Sequence, residues 1–278
     1  MSPPARPDAD GQRAWEARWA RPAALAAFAA ATLPIAGAIV PRLLLDGPLR
    51  NRVDLLLAAG RDGAAFVAGG LVQALGMVAL AAVFLYLYSA ARVRYRSTPP
   101  VAGVLAVVGP LLLAGVYVAT QVALTSIGAE FAASGPRTVA RYDQIVREGS
   151  LATVESIRFG AGAAFGIAWI LISLSVMRAG LVSRFVGTLG IVIGVLNAIP
   201  IILPVVLQTF WLGAIGVLLL DRWPGGRGPA WETGEATPWP ASARASRASR
   251  AAARDAPEET ADNGEPPARA SRKRKRRG

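Results

Sequence analysis

Five stretches of this chain carry no Asp, Glu, Lys or Arg: Pro22–Pro41, Ala64–Ala91, Ser97–Ala129, Phe159–Met177 and Phe185–Leu220. Together they hold 136 of the 278 residues. A bilayer core about 30 Å thick is crossed by about 20 mostly apolar residues in a helix, and each of the first four runs suits one crossing. The fifth has 36 residues and would extend about 54 Å as a single helix. Its centre reads Asn197-Ala-Ile-Pro-Ile-Ile-Leu-Pro204. Each proline removes a backbone donor and clashes with the preceding turn, so the run reads as a hairpin of two short spans. The expected fold is all-α, a polytopic integral membrane bundle of six transmembrane helices within residues 22–222. The spans fall near 22–45, 64–91, 100–127, 157–178, 184–200 and 204–221.

Composition agrees with burial in lipid and removes most chemistry. The chain is 53% apolar and 17% charged, with a mean hydropathy of +0.41, whereas charged residues make up about a quarter of an ordinary soluble domain. It contains no Cys and no His, which excludes thiolate and imidazole metal sites, Ser-His-Asp and Cys-His nucleophiles and histidine switches. No span interior holds a charge, against the usual pattern of proton-coupled transporters and voltage sensors. Asp46, Asp54 and Asp62 share one segment but match no carboxylate motif, Gly60-Arg-Asp-Gly63 reads as a turn before a helix, and no Gly-rich phosphate loop is present. No catalytic residue, cofactor or metal is therefore expected, and the chain reads as a non-enzyme.

Arginine sets the orientation. Six spans put both termini on one side, with Arg6, Arg13, Arg18, Arg21, Arg92, Arg94, Arg96, Arg178, Arg184, Arg222 and Arg227; the other side has Arg50, Arg52, Arg61, Arg137, Arg141 and Arg147. Eleven against six places both termini in the cytoplasm. The first run lacks a persuasive small-x-small cleavage site and reads as an uncleaved span rather than a signal peptide.

Residues 1–21 form a cytoplasmic segment in which Asp10 is placed to cap a short helix bearing Trp15 and Trp19, lying at the headgroups. Trp211, Trp223, Trp231 and Trp239 read as anchors around the last exit. Beyond the last span, residues 223–278 are expected to be a disordered basic tail, since Pro224 to Pro240 is too rich in Pro and Gly to hold a helix or bury a core. The tail ends in Arg272-Lys273-Arg274-Lys275-Arg276-Arg277. The run reads first as a solvated stretch of charge that also fixes topology. Anionic headgroups at the inner face are the nearest target if it docks, at about 1 kcal/mol per cation, and nucleic acid is a more remote one. In the outer loop, Val139, Tyr142, Ile145 and Val146 share one face of a short amphipathic helix, read as packing or as a lid.

Four amides remain inside the spans: Gln73, Gln121, Asn197 and Gln208. In the six-span arrangement all lie in the outer half, on four different helices. They read either as interhelical hydrogen bonds or as an outward-facing polar pocket for a small neutral or zwitterionic molecule. Gly162-Ala-Ala-Phe-Gly166 and Gly190-Ile-Val-Ile-Gly194 are GxxxG pairs that let the fourth and fifth spans approach closely or let two copies dimerise.

From Arg158 to Pro200 the chain contains Phe159-Gly, Met177-Arg-Ala-Gly-Leu-Val-Ser-Arg-Phe-Val-Gly187 and Leu189-Gly-Ile-Val-Ile-Gly194. This stretch resembles the fourth and fifth spans of a bacterial six-helix membrane family of unknown function, in which a short R-x-G-hydrophobic-x-[PS]-R turn joins two helices. Ser183 stands where many members of that family have proline. The segment after the last span resembles the tails of actinobacterial membrane proteins. The resemblance implies a bacterial inner-membrane protein and carries over no activity or site. Two functions follow as expectations: a non-catalytic membrane component whose basic tail meets lipid or a partner, or a transporter or receptor for a small uncharged solute.

Overall fold

The computed structural model describes residues 9–45, 51–133, 135–199, 204–224 and 226–239. Among them the chain forms helices and no strand: α1 (Ala9–Leu44), α2 (Arg52–Arg61), α3 (Gly63–Arg94), α4 (Pro100–Ala133), α5 (Val139–Glu148), α6 (Ser150–Arg178), α7 (Arg184–Ala198), α8 (Val205–Leu219) and α9 (Pro229–Thr233). Four of them, α1, α3, α4 and α6, are long and apolar enough to cross a membrane. The shorter α7 and α8 have 15 residues each, about 22 Å of rise. The centre of the expected hairpin between them lies partly outside the described residues.

The long helices overrun their charge-free windows, because charge at a helix end does not stop the backbone ladder. α1 is the clearest case. It begins at Ala9 and runs unbroken past Pro22 and Pro34, so the short capped helix expected at the headgroups is the first turns of a span. Asp10 sits inside the first turn and pairs with Arg13 rather than capping it. Trp15 stacks on Tyr86 of α3 at 5.5 Å; Trp19 remains exposed.

Close backbone approaches explain how so many small residues hold the bundle. A Cβ at Gly166 would lie 2.5 Å from the Gly194 carbonyl oxygen, and one at Gly194 would lie 2.7 Å from that of Gly166. Gly162 and Gly190 lie in the same α6–α7 seam, against Asn197 and Ser173. Gly37 meets Gly69 between α1 and α3, and Gly60 meets Gly128 between α2 and α4. In lipid, where apolar side chains gain little by leaving their surroundings, such contact is a main source of association.

The bundle has two unlike ends. At one, α2 and α5 cover the helix termini. Leu56, Ile127, Phe131 and Ile145 form a small separate core there. Asn51 caps α2 through the Asp54 amide, and Thr138 caps α5 through that of Arg141. Val139 is exposed, so the buried face of α5 is narrower than the spacing suggests. At the other end the start of α1, the end of α3, the α6–α7 turn and residues 223–239 come together, so both ends of the described chain lie at this end.

This second end corrects the expectation for residues 224–240. The segment up to Trp239 is a folded strap with a short helix, in which Ala230 and Trp231 are buried. Trp231 donates from Nε1 to the Leu181 carbonyl at 2.9 Å. The strap crosses the α6–α7 turn at Gly180, where φ is +74° and a Cβ would lie 1.8 Å from the Thr237 oxygen. Only glycine fits such a point, on both grounds. The headgroup reading also fails for Trp211, which is fully buried and donates to the Val186 carbonyl at 2.9 Å. The rest of the tail, with Arg272, Lys273, Arg274, Lys275, Arg276 and Arg277, lies outside the described residues.

Candidate functional site: a polar cavity between helices

Three of the amides of the long helices and of α7 gather towards the α2–α5 end. A cavity of about 570 Å³ opens there between α3, α4, α6 and α7, lined by Gln73, Leu113, Val116, Tyr117, Thr120, Gln121, Glu155, Arg158, Phe159, Gly162, Leu196, Asn197 and Pro204. Three of the four amides singled out from the sequence thus face one space from three helices. The fourth, Gln208, stands behind the wall and donates from Nε2 to the Asn197 Oδ1 at 2.8 Å.

These amides are not equivalent. Asn197 is committed: its Nδ2 donates to the Ile193 carbonyl at 2.8 Å while its oxygen accepts from Gln208. That pair ties α7 to α8 and accounts structurally for two of the four. Thr120 also turns its hydroxyl inward along its own helix, to the Val116 carbonyl at 2.7 Å. Gln73 differs. Its Nε2 reaches the Pro34 carbonyl at 3.4 Å, but its Oε1 is buried with no hydrogen-bond partner. A buried acceptor left unpaired costs about 1–3 kcal/mol, and this one lies beneath the cavity wall rather than on its surface. Gly70 makes room beside it: a Cβ there would lie 2.7 Å from Cγ of Gln121.

Sequence reasoning missed the charged part of the wall. Glu155 and Arg158, on the second and third turns of α6, form an ion pair at 3.0 Å, with side chains 57% and 45% exposed. Arg158 looks in the sequence like a residue marking a span end. α6 begins eight residues earlier, at Ser150, and so carries both charges on helix at the cavity. Tyr117 and Phe159 add ring surface beside them.

Towards the other end the cavity is closed by aromatic packing. One turn beyond Leu113, Gly109 brings α4 against α6, with a Cβ placed 3.1 Å from the Phe165 Cα. Phe165, Phe84, Trp169 and Trp211 are all buried there. Phe84 meets Trp169 edge-on at 5.1 Å, and Trp169 lies 5.3 Å from Trp211. Within this layer Trp169 Nε1 and Ser173 Oγ are buried without hydrogen-bond partners.

Beyond the aromatic layer lies a charged clasp, also unseen in the sequence. Arg94 pairs with Glu16 through both carboxylate oxygens, one at 2.7 Å, with the two side chains 0% and 5% exposed. Arg94 also donates to the carbonyls of Ala90 and Ala230, each at 2.9 Å. Its guanidinium lies 5.4 Å from the Trp231 ring, that of Arg227 lies 5.8 Å from the same ring, and Tyr86 stacks on Trp231 at 6.2 Å. Arg227 in turn donates to the last carbonyls of α8, at Leu218 and Leu219, a common way of satisfying a helix end. The strap is thereby tied to α1, α3 and α8.

Compared with protein families, curated proteins and solved structures, the chain matches none.

Proposed function

We propose that the chain is a six-span protein of the bacterial cell membrane, with both termini cytoplasmic, that binds a small polar molecule from the outer side as a receptor or transporter. The single observation that carries this reading is the convergence of Gln73, Gln121 and Asn197, from three helices, on one cavity of about 570 Å³. That is the size range of small-molecule sites, about 300–1,000 Å³, in which convergent polar groups fix the ligand's orientation. Interhelical hydrogen bonding explains Asn197 and Gln208 but leaves the Gln73 acceptor unexplained. The arginine distribution supports the orientation, with the strap end inward and the cavity end outward. α7 and α8 reach across with local thinning of the bilayer, a modest energetic cost for each ångström of mismatch.

A transporter needs the aromatic layer and the clasp to part; a receptor needs only the cavity. The test is a thermal-shift screen of the purified full-length protein against neutral and zwitterionic metabolites. A solute that raises the melting midpoint of the wild type should lose that effect in Gln73→Leu and Gln121→Leu, both of which should still unfold cooperatively. Full retention in both variants would end the proposal.

A further inference from the structure

We infer that the molecule held in the cavity is a zwitterion that carries an N–H cation and an oxyanion, of the kind found in a free amino acid or an aminophospholipid headgroup. The inference rests on the cavity being a binding site and adds the chemistry of its occupant. The wall holds one cation and one anion, Arg158 and Glu155, which neutralise each other at 3.0 Å. A ligand of single charge would engage one partner and leave the other to water, since both side chains are half-exposed, whereas a zwitterion complements both. A zwitterion inserts between them and pairs with each: its oxyanion takes Arg158, whose planar fork suits carboxylate and phosphate alike, and Glu155 accepts from the ligand cation. Both side chains are exposed enough to exchange partners.

The second requirement is for a donor, and it comes from Glu155, whose carboxylate on the wall only accepts. An ammonium bearing hydrogens meets that requirement and a quaternary ammonium does not. The unpartnered Gln73 Oε1 is buried beneath the wall and sets no demand on the ligand. Asn197 Nδ2 keeps a second N–H after its bond to Ile193, and the Gln121 amide lies on the same wall, so donors remain for the ligand oxyanion while Glu155 takes its N–H groups. Its volume of about 570 Å³ exceeds what a small amino acid fills, at about 30 Å³ for each water displaced; water or a larger headgroup takes up the rest.

Titration calorimetry on the full-length protein in phosphatidylcholine nanodiscs tests this with glycine, L-alanine, L-glutamine, glycine betaine and glycerol. A parallel arm incorporates phosphatidylethanolamine into the discs and reads the melting midpoint. Binding of one of the three amino acids supports a soluble ligand, and a midpoint raised by phosphatidylethanolamine alone supports a lipid headgroup. In either case Arg158→Gln and Glu155→Gln, at half-exposed positions that the fold does not need, should weaken the effect at least about tenfold. Glycine betaine should bind at least about tenfold more weakly than glycine, for want of N–H donors. Equal binding of betaine, or unchanged binding in both α6 variants, overturns the zwitterion. Glycerol binding that Gln73→Leu abolishes, with no response to any zwitterion, overturns it while the cavity reading stands. No response to any solute or lipid overturns both.

Discussion

The one buried ion pair among the described residues joins side chains whose positions in the chain lie far apart. Arg94 and Glu16 are 78 positions apart; in the sequence one is a vote for topology and the other an unremarked acid before the first span. Removing one partner of a buried pair costs about 3–5 kcal/mol, because the other is left charged and dry. Arg94→Ala should therefore lower the unfolding free energy by that amount, whereas the double replacement Glu16→Leu with Arg94→Leu should lose less than the two single changes added together. Denaturant titration in micelles reads the difference, and additive losses would mean that the pair contributes nothing as a pair. The amides were legible for a simpler reason. A polar side chain in a charge-free run can be placed by depth alone, which located Gln73, Gln121 and Asn197 near one level, but depth says nothing of which acceptor is left over.

At the scale of the element, apolar windows located every long helix, since burial in lipid and burial in protein demand the same residues. Their ends were less legible: α1 starts 13 residues before Pro22, because Trp15 and Glu16 find partners on α3. The strap was illegible altogether. Pro and Gly usually forbid a core, yet here Gly180 and the Trp231 ring let an extended segment close one end of the bundle. Trp231→Ala, by analogy with other buried aromatic truncations, should destabilise by about 3–5 kcal/mol and make the segment around Glu232 sensitive to protease; unchanged resistance would show the strap to be held elsewhere. The α6–α7 seam gives a sharper contrast. Gly166→Leu drives a side chain into the Gly194 carbonyl and should cost about 1–3 kcal/mol, while Gly213→Ala, with nothing within 4 Å of its Cβ, should change stability by less than about 1 kcal/mol. Equal effects in thermal unfolding would contradict close packing as the reason for these glycines.

Over the whole molecule the parts form a sequence along one axis: a polar cavity, an aromatic layer, then a charged clasp closed by the strap. The apolar windows could show that helices bundle, but only three-dimensional packing shows a polar cavity between the helices towards one end and a charged clasp at the other. The protein contains no cysteine, so a single introduced thiol reports its own accessibility without background. The most direct measurement is labelling of intact cells by a membrane-impermeant maleimide, with Gln121→Cys in the cavity wall and Arg96→Cys on the exposed loop at the clasp end. Labelling of Gln121→Cys in intact cells, with Arg96→Cys reacting only after the cells are permeabilised, is the expected result. Reaction of Arg96→Cys in intact cells, or a Gln121→Cys that stays unlabelled in them, would contradict an outward-opening cavity sealed towards the cytoplasm.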